Sequence, residues 1–348
     1  EQMLFYFEGI MKAAVYEGNK KFLVKNVELP KLSQSQVLIK INYSAICGTD
    51  VHAFMYDAIP VGAVIGHEYC GEIVELGSRV KRWKVGDRVI CGGGMPETNS
   101  VIGPAADPRY NYRTMGLGTV QSRGYAEYVI LDDWRPIHIP DKVSDESAVL
   151  CEPIAVLVHA VRASKAKIGD RVVVLGAGPI GLICIQVLKT MGVSSIIVSE
   201  PLEHRANAAL TLGADQIINP FEKDPVDVVV KNTQGIGADI VFDCAGIGKS
   251  INQGLLMLKK FGQLILVGLS WKPVQILPVE WMGREVSLQS VFAHSPNDWK
   301  IALQLLELEK VTVSPLITSE SFIKLEQIQE AFERLIQPES DLQVIIKL

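Results

Sequence analysis

A chain of 348 residues has room for two domains with separate cores, since single domains centre on about 100–150 residues. With 48% hydrophobic and 21% charged residues, it reads as an ordinary globular protein and excludes a disordered or fibrous one. A formal charge of −5, with no block of Lys and Arg, argues against nucleic acid or an anionic membrane as partner, and no stretch is apolar enough for long enough to span a bilayer.

In chain order, the first ten residues, "EQMLFYFEGI", precede "MKAAVYEG" at Met11 and read as an expression-tag remnant, set aside from the fold. Segments such as "QVLIKINYSAI", "CGEIVELG", "GDRVI" and "GYAEYVIL" are strand-like and punctuated by Gly, Pro and Asp, which predicts a β-rich domain. From Arg171 short apolar strands alternate with helices: "RVVVLG", a helix over Pro179–Gly192, "SIIVSE", a helix from about Leu202 to Leu212, and "QII". A helix near Pro225–Thr233, "ADIVFDCAG", a helix near Ser250–Lys260 and "GQLILVG" complete the run. Continuous β-branched strands need burial on both faces, so this region predicts an α/β doubly wound parallel sheet. After about Pro296 come a helix ("NDWKIALQLLELEK"), a strand-like "VTVSPLI", a second helix ("LEQIQEAFERLI") and a closing strand ("LQVIIKL"). These are expected to rejoin the first domain, giving a β-rich domain over 11–160 and 296–348 around a nucleotide-binding domain over 161–295.

"GAGPIG" supplies Gly176, Gly178 and Gly181 directly after a strand and at the opening of a helix, with Pro179 and Ile180 between the last two glycines. The first glycine allows a tight turn, the second lets the backbone approach a pyrophosphate, and the third permits close helix-to-strand packing. The next strand ends at Glu200, placed to accept hydrogen bonds from adenosine ribose hydroxyls and to repel a 2′-phosphate, so NAD is expected over NADP. His204 and Arg205 lie close by, and Arg205 and Val267 complete the expected cofactor-binding set.

In the first domain, Cys47 opens "CGTDVHAF" twenty residues before His67 and Glu68 of "GHE". A mixed sulfur, nitrogen and oxygen set is of the kind zinc accepts, with three protein ligands leaving a position for water or substrate. Adjacent strand residues point to opposite faces, so His67 and Glu68 can share a metal only where the backbone bends, and Gly66 allows that. Glu152, beside Pro153 at a helix start, is a second carboxylate candidate, and neighbouring Cys151 is a rival sulfur. The six cysteines are widely spread, as reduced thiols of a cytoplasmic protein would be.

Taken together, "CGTDVH", "GHEYCGEIVELGSRVKRWKVGDRV", "GYAEYV", "CEPIAVLVHA" and "GAGPIG" resemble the zinc-dependent medium-chain alcohol dehydrogenases, nearest the sorbitol, threonine and butanediol dehydrogenase branch, from about Met11 to Leu348. The resemblance implies a GroES-like catalytic domain, a Rossmann domain, and an enzyme that passes hydride between a secondary alcohol and NAD with a catalytic zinc. By motif position it implies zinc ligation by Cys47, His67, Glu68 and Glu152, with Glu152 and not Cys151 at the family position. It likewise implies that Thr49 hydrogen-bonds the reacting alcohol, that His52 relays its proton, and that chains form homodimers or homotetramers. The β-branched and apolar "REVSLQSVF" (Arg284–Phe292) reads as a strand at a subunit contact or as an internal strand. His159 is read as structural, and His138 and His294 take no assigned chemistry.

One stretch departs from the family. Many relatives hold a second, structural zinc with four closely spaced cysteines, whereas "CGGGMPETNSVIGPAADPRYNYRTMGLGTVQSRG" carries only Cys91. One thiol cannot make a closed tetrahedral site, so one catalytic zinc per chain and no structural zinc are expected. Rival readings are a sugar-phosphate or aminocyclitol dehydrogenase of the same family, a zinc-free quinone or enoyl reductase, and a non-catalytic NAD-binding protein.

Overall fold

The computed structural model describes residues 9–90, 123–336 and 341–348. Cys91 and nearly all of the cysteine-poor stretch fall outside the described residues, as do the first eight positions of the chain. Ile10, set aside with the lead, is the first residue of a strand and pairs with Glu28.

The first elements are β1 (Ile10–Tyr16), β2 (Phe22–Glu28), β3 (Gln36–Ala45), α1 (Gly48–Met55), β4 (Glu68–Leu76), β5 (Arg88–Ile90), β6 (Tyr128–Asp132), β7 (Ile137–His138), α2 (Asp145–Ala148) and α3 (Cys151–Ala163). An alternating run follows: β8 (Arg171–Leu175), α4 (Pro179–Met191), β9 (Ser195–Ser199), α5 (Glu203–Thr211), β10 (Gln216–Ile218), α6 (Pro225–Asn232), β11 (Ala238–Asp243), α7 (Gly248–Met257) and β12 (Leu258–Leu266). Last come α8 (Val279–Met282), β13 (Ser287–Ser290), α9 (Pro296–Glu307), β14 (Phe322–Lys324), α10 (Ile328–Ile336) and β15 (Ile345–Lys347). Two compact units result, residues 1–152 with 317–348, and residues 153–316.

In the first unit a mixed sheet runs β14-β15-β3-β4-β5-β7, with β6 also pairing β3, and β1 and β2 form a separate antiparallel pair. The apolar faces of α1 and α10 close a core rich in rings: Phe22 stacks on Phe54 at 5.8 Å, and Phe332 lies 4.7 Å from Phe22 and 5.1 Å from Phe54. Offset and tilted ring pairs of this kind add to simple area burial.

In the second unit every pairing is parallel and the order is β10-β9-β8-β11-β12-β13. The chain winds outward from β8 through β9 to β10, then returns to the other side of β8 for β11, β12 and β13. Ligands bind at the carboxyl ends of such strands, where the winding reverses, and here the reversal falls between β8 and β11. Continuous apolar runs suit strands covered on both faces: β11 is buried at every position. Helix boundaries follow local chemistry, with Pro179 in the first turn of α4 and Gly192 ending it at φ +76°. Asp224 caps α6 by accepting from the Val226 N–H at 2.8 Å.

Two sequence expectations change. "VTVSPLI" forms no strand: Val311, Val313 and Leu316 are buried, but Leu316 N–H closes a turn onto the Val313 carbonyl. And α9 belongs with the second unit, whereas its position in sequence suggested the first. Its tether is Asp298, fully buried, which accepts from the Ser295 N–H at 2.7 Å and Ser295 Oγ at 2.6 Å and pairs with Arg162 of α3. His159, also on α3, stands 3.3 Å from the same carboxylate, a structural contact. Burial alone would raise the Asp298 pKa, but the Ser295 and Arg162 hydrogen bonds outweigh it and hold the carboxyl below its ordinary value.

A group whose native pKa is depressed stabilises the fold above its unfolded pKa and loses that contribution as pH falls through the native one. Asp298→Ala removes a helix cap and the partner of a half-exposed Arg, so it is expected to cost about 2 kcal/mol at pH 7. Urea midpoints of the two proteins, well separated at pH 7, should draw together in acid.

Candidate functional site

The first-unit site is built at a bend. β4 begins only at Glu68, and the preceding residues turn at Gly66, whose φ of +99° favours glycine. A Cβ there would also sit 2.6 Å from the Tyr125 ring. The turn brings His67 and Glu68, which a straight strand would send to opposite faces, to one place. Cys47 reaches it from the start of α1, where its carbonyl accepts from the Asp50 and Val51 N–H groups. One ligand atom each from Cys47, His67 and Glu68 lies within 4.8 Å of the others.

The three groups are wholly or partly buried and shift one another's protonation. Burial, then Glu68, pushes the Cys47 thiol up to about 12. Burial, then Glu152, pushes the Glu68 carboxyl up to about 8. Against the lowering effect of burial, Asp50 and Cys47 raise His67 well above the ordinary imidazole value. Glu68 Oε2 is buried with no hydrogen-bond partner, a costly arrangement that a bound cation would relieve. Sulfur, imidazole and carboxylate donors around an orphaned oxygen fit zinc, whose binding here would release the protons that these groups hold. Glu152, in the first turn of α3, stays outside the tight trio but close enough to act on Glu68. Cys151, the rival sulfur, is fully buried and is not part of the trio. Thr49 and His52 lie on α1, three residues apart and so on one helix face. Burial lowers the His52 pKa.

Two residues of this site carry no role in the sequence reading. Asp50, in "CGTD", is fully buried with Oδ1 3.5 Å from His67 Nδ1, and Tyr125, in "GYAEYV", donates to Asp50 Oδ2 at 2.6 Å. A metal-bound imidazole needs a partner for its second nitrogen, and that requirement was the available signal for Asp50.

In the second unit the fingerprint glycines occupy the winding reversal. Gly176, at φ +88°, follows β8, and a Cβ on it would lie 3.1 Å from the Cβ of Ala245 after β11. A Cβ on Gly181 would come within 2.0 Å of the Gly176 carbonyl oxygen, so only glycine lets α4 start this close to the turn. Gly178, Pro179 and Ile180 form the opening of α4, partly exposed. Glu200, 4% exposed, accepts from the Ala177 N–H at 2.7 Å and the Leu202 N–H at 2.9 Å, tying the loop after β8 to the end of β9. Arg205, on α5, holds a guanidinium nitrogen 3.7 Å from where a Gly178 Cβ would stand, and its buried Nε has no hydrogen-bond partner. Val267 follows β12 and donates its N–H to the Asp243 carbonyl at 3.0 Å, at the same end of the sheet. His138 is exposed, and His294 packs edge-on against Trp299 at 4.8 Å. No helix among the described residues is long and apolar enough to cross a membrane.

Comparison with known proteins finds family matches in both units. Residues 33–141 match the alcohol dehydrogenase GroES-like domain, and residues 179–307 match the zinc-binding dehydrogenase family. The chain is 33% identical to the D-arabitol-phosphate dehydrogenase of Enterococcus avium, over 98% of this chain and 97% of that one. It is 37% identical to a sorbitol dehydrogenase of Halalkalibacterium halodurans, over 89% and 92% of the two chains. A Sinorhizobium meliloti protein solved bound to NADP superposes with a TM-score of 0.86, at 26% identity, over 98% of this chain and 100% of that one. The chain belongs to the zinc-dependent medium-chain alcohol dehydrogenase family and is an oxidoreductase working with zinc and a nicotinamide cofactor.

Proposed function

We propose that this enzyme oxidises a secondary alcohol of the polyol type with NAD, using one catalytic zinc held by Cys47 and His67 with Glu68 and Glu152 as its carboxylates. The observation that carries the reading is the convergence of Cys47, His67 and Glu68 donor atoms within 4.8 Å at the Gly66 bend. Zinc there would supply Lewis acidity toward an alcohol oxygen and ease loss of its proton near neutral pH. Thr49 would orient the hydroxyl and pass the proton to His52 on the same face of α1. Burial keeps that imidazole neutral at pH 7, hence able to accept it.

The GAGPIG loop, Glu200, Arg205 and Val267 would hold the cofactor. Glu200 supports NAD over NADP because its carboxylate is buried at the end of β9, where a 2′-phosphate would meet like charge. Glu200→Gln keeps the shape and removes the charge. It is expected to lower the ratio of kcat/KM for NAD to that for NADP by about tenfold, a difference of about 1.4 kcal/mol. Steady-state kinetics with both cofactors check this.

The D-arabitol-phosphate dehydrogenase relative, matched over nearly the whole chain, supports a phosphorylated polyol as the second reading. We also infer a cytoplasmic homodimer or homotetramer: β13 lies at the edge of its sheet with Leu288, Gln289 and Ser290 exposed, available to pair with a second copy. NADH formation across secondary alcohols, polyols, threonine and sugar phosphates, each with and without prior chelation, tests the proposal. Turnover that chelation abolishes supports it and names the substrate class. Turnover that survives complete zinc removal would sink it.

A further inference from the structure

Behind the metal donors lies a second layer that ends in a phenol. The Tyr125 ring is fully buried and meets Phe332 edge-on at 6.1 Å. Its hydroxyl donates to Asp50 Oδ2 at 2.6 Å, while Asp50 Oδ1 faces His67 Nδ1 at 3.5 Å. Burial and the Asp50 charge hold the phenol far above its ordinary pKa, so it is a hydrogen-bond donor at any working pH. The same residue shapes the backbone turn. Tyr125 N–H donates to the Ile65 carbonyl at 3.0 Å, and Gly124 N–H to the Gly66 carbonyl at 2.8 Å. The tyrosine ring itself fills the space that a side chain on Gly66 would need.

Two things decide where the His67 imidazole points: the bend before it and the carboxylate beside it. Tyr125 touches both. A buried carboxylate with only one oxygen engaged would rotate to seek a second partner, and an unpaired buried oxygen is costly. With the hydroxyl on Oδ2, Oδ1 is turned toward Nδ1, and His67 is left with Nε2 for a cation. Partners of this outer kind fix ring orientation and ligand basicity, and their loss costs about 10–100-fold in metal affinity.

We propose that Tyr125 is a positioning residue for the metal, acting through Asp50 and the Gly66 bend on His67. The inference rests on the zinc reading above. The competing view is that Tyr125 only fills the aromatic core, and Tyr125→Phe separates the two because it keeps the ring and deletes the hydroxyl. Tyr16→Phe is the control: Tyr16 is equally buried, sits 5.2 Å from Phe22 in the same core, and bonds a carboxylate, Asp57, that is not one of the trio.

The experiment is zinc affinity by competition with a chromophoric chelator for the wild type and both variants, alongside thermal unfolding of the metal-stripped proteins. Tyr125→Phe should bind zinc about tenfold more weakly while Tyr16→Phe binds as the wild type does, even where the two lose similar stability. Wild-type zinc affinity in Tyr125→Phe would overturn the proposal, as would equal weakening in both variants. A wild type that takes up no zinc would instead overturn the zinc reading itself.

Discussion

Cys47→Ser should lose zinc and at least about 10³-fold in kcat, the scale of the several kcal/mol that metal catalysis supplies, while binding NAD within a factor of about two or three of wild type. The sulfur is the only soft donor in the trio of Cys47, His67 and Glu68, and a serine hydroxyl does not ionise to replace it. The change should not harm the fold. Cys47 starts α1 through its carbonyl, with no side-chain cap, and serine is a favoured residue at that position. Metal content, NADH formation and NAD titration on one preparation check all three parts. A matching loss of cofactor affinity would contradict the assignment of metal and cofactor to separate units.

Gly181→Ala should do the converse, lowering NAD affinity by at least about 100-fold, about 2.7 kcal/mol, while leaving zinc content near wild type. The added Cβ meets the Gly176 carbonyl oxygen at 2.0 Å. That contact is with backbone, so no rotamer relieves it; the turn after β8 or the start of α4 must move, at a cost of the order of 1–3 kcal/mol or more in overpacking. Gly178→Ala is the informative comparison. Its Cβ would meet only Arg205, at 3.7 Å, an ordinary contact, so thermal stability should stay near wild type while calorimetric titration shows weakened NAD binding. One glycine is required by the protein's own backbone, and the other by the ligand's approach.

The nucleotide-binding unit was legible because its signals are local. β8 and β11 carry short apolar runs, Val172–Leu175 and Ile240–Phe242, GAGPIG follows a strand and opens a helix, and Glu200 directly follows the next strand. The trio of Cys47, His67 and Glu68 was legible as a donor set because Gly66 lets the backbone bend before an adjacent His and Glu, and a cysteine adds the sulfur. What escaped depends on distant contacts. Asp50 and Tyr125 are 75 residues apart in sequence, and neither shows alone that it is the other's partner. The assignment of α9 turned on Asp298 finding Arg162 across 136 residues, which periodicity cannot register. "VTVSPLI" has strand composition, yet Val311, Val313 and Leu316 are buried while the segment closes a turn, so tertiary context overrode propensity. Helix α1, which the sequence reading did not assign, is short, begins Gly-Thr-Asp and has no side-chain cap; the Cys47 carbonyl collects its first N–H groups.

Zinc K-edge X-ray absorption on the purified enzyme tests the proposed single zinc with one sulfur ligand most directly. The expected result is about one zinc per chain, with one sulfur at about 2.3 Å and the remaining ligands nitrogen and oxygen at about 2.0–2.2 Å. A shell of several sulfurs, or a spectrum unchanged in Cys47→Ser, would contradict it.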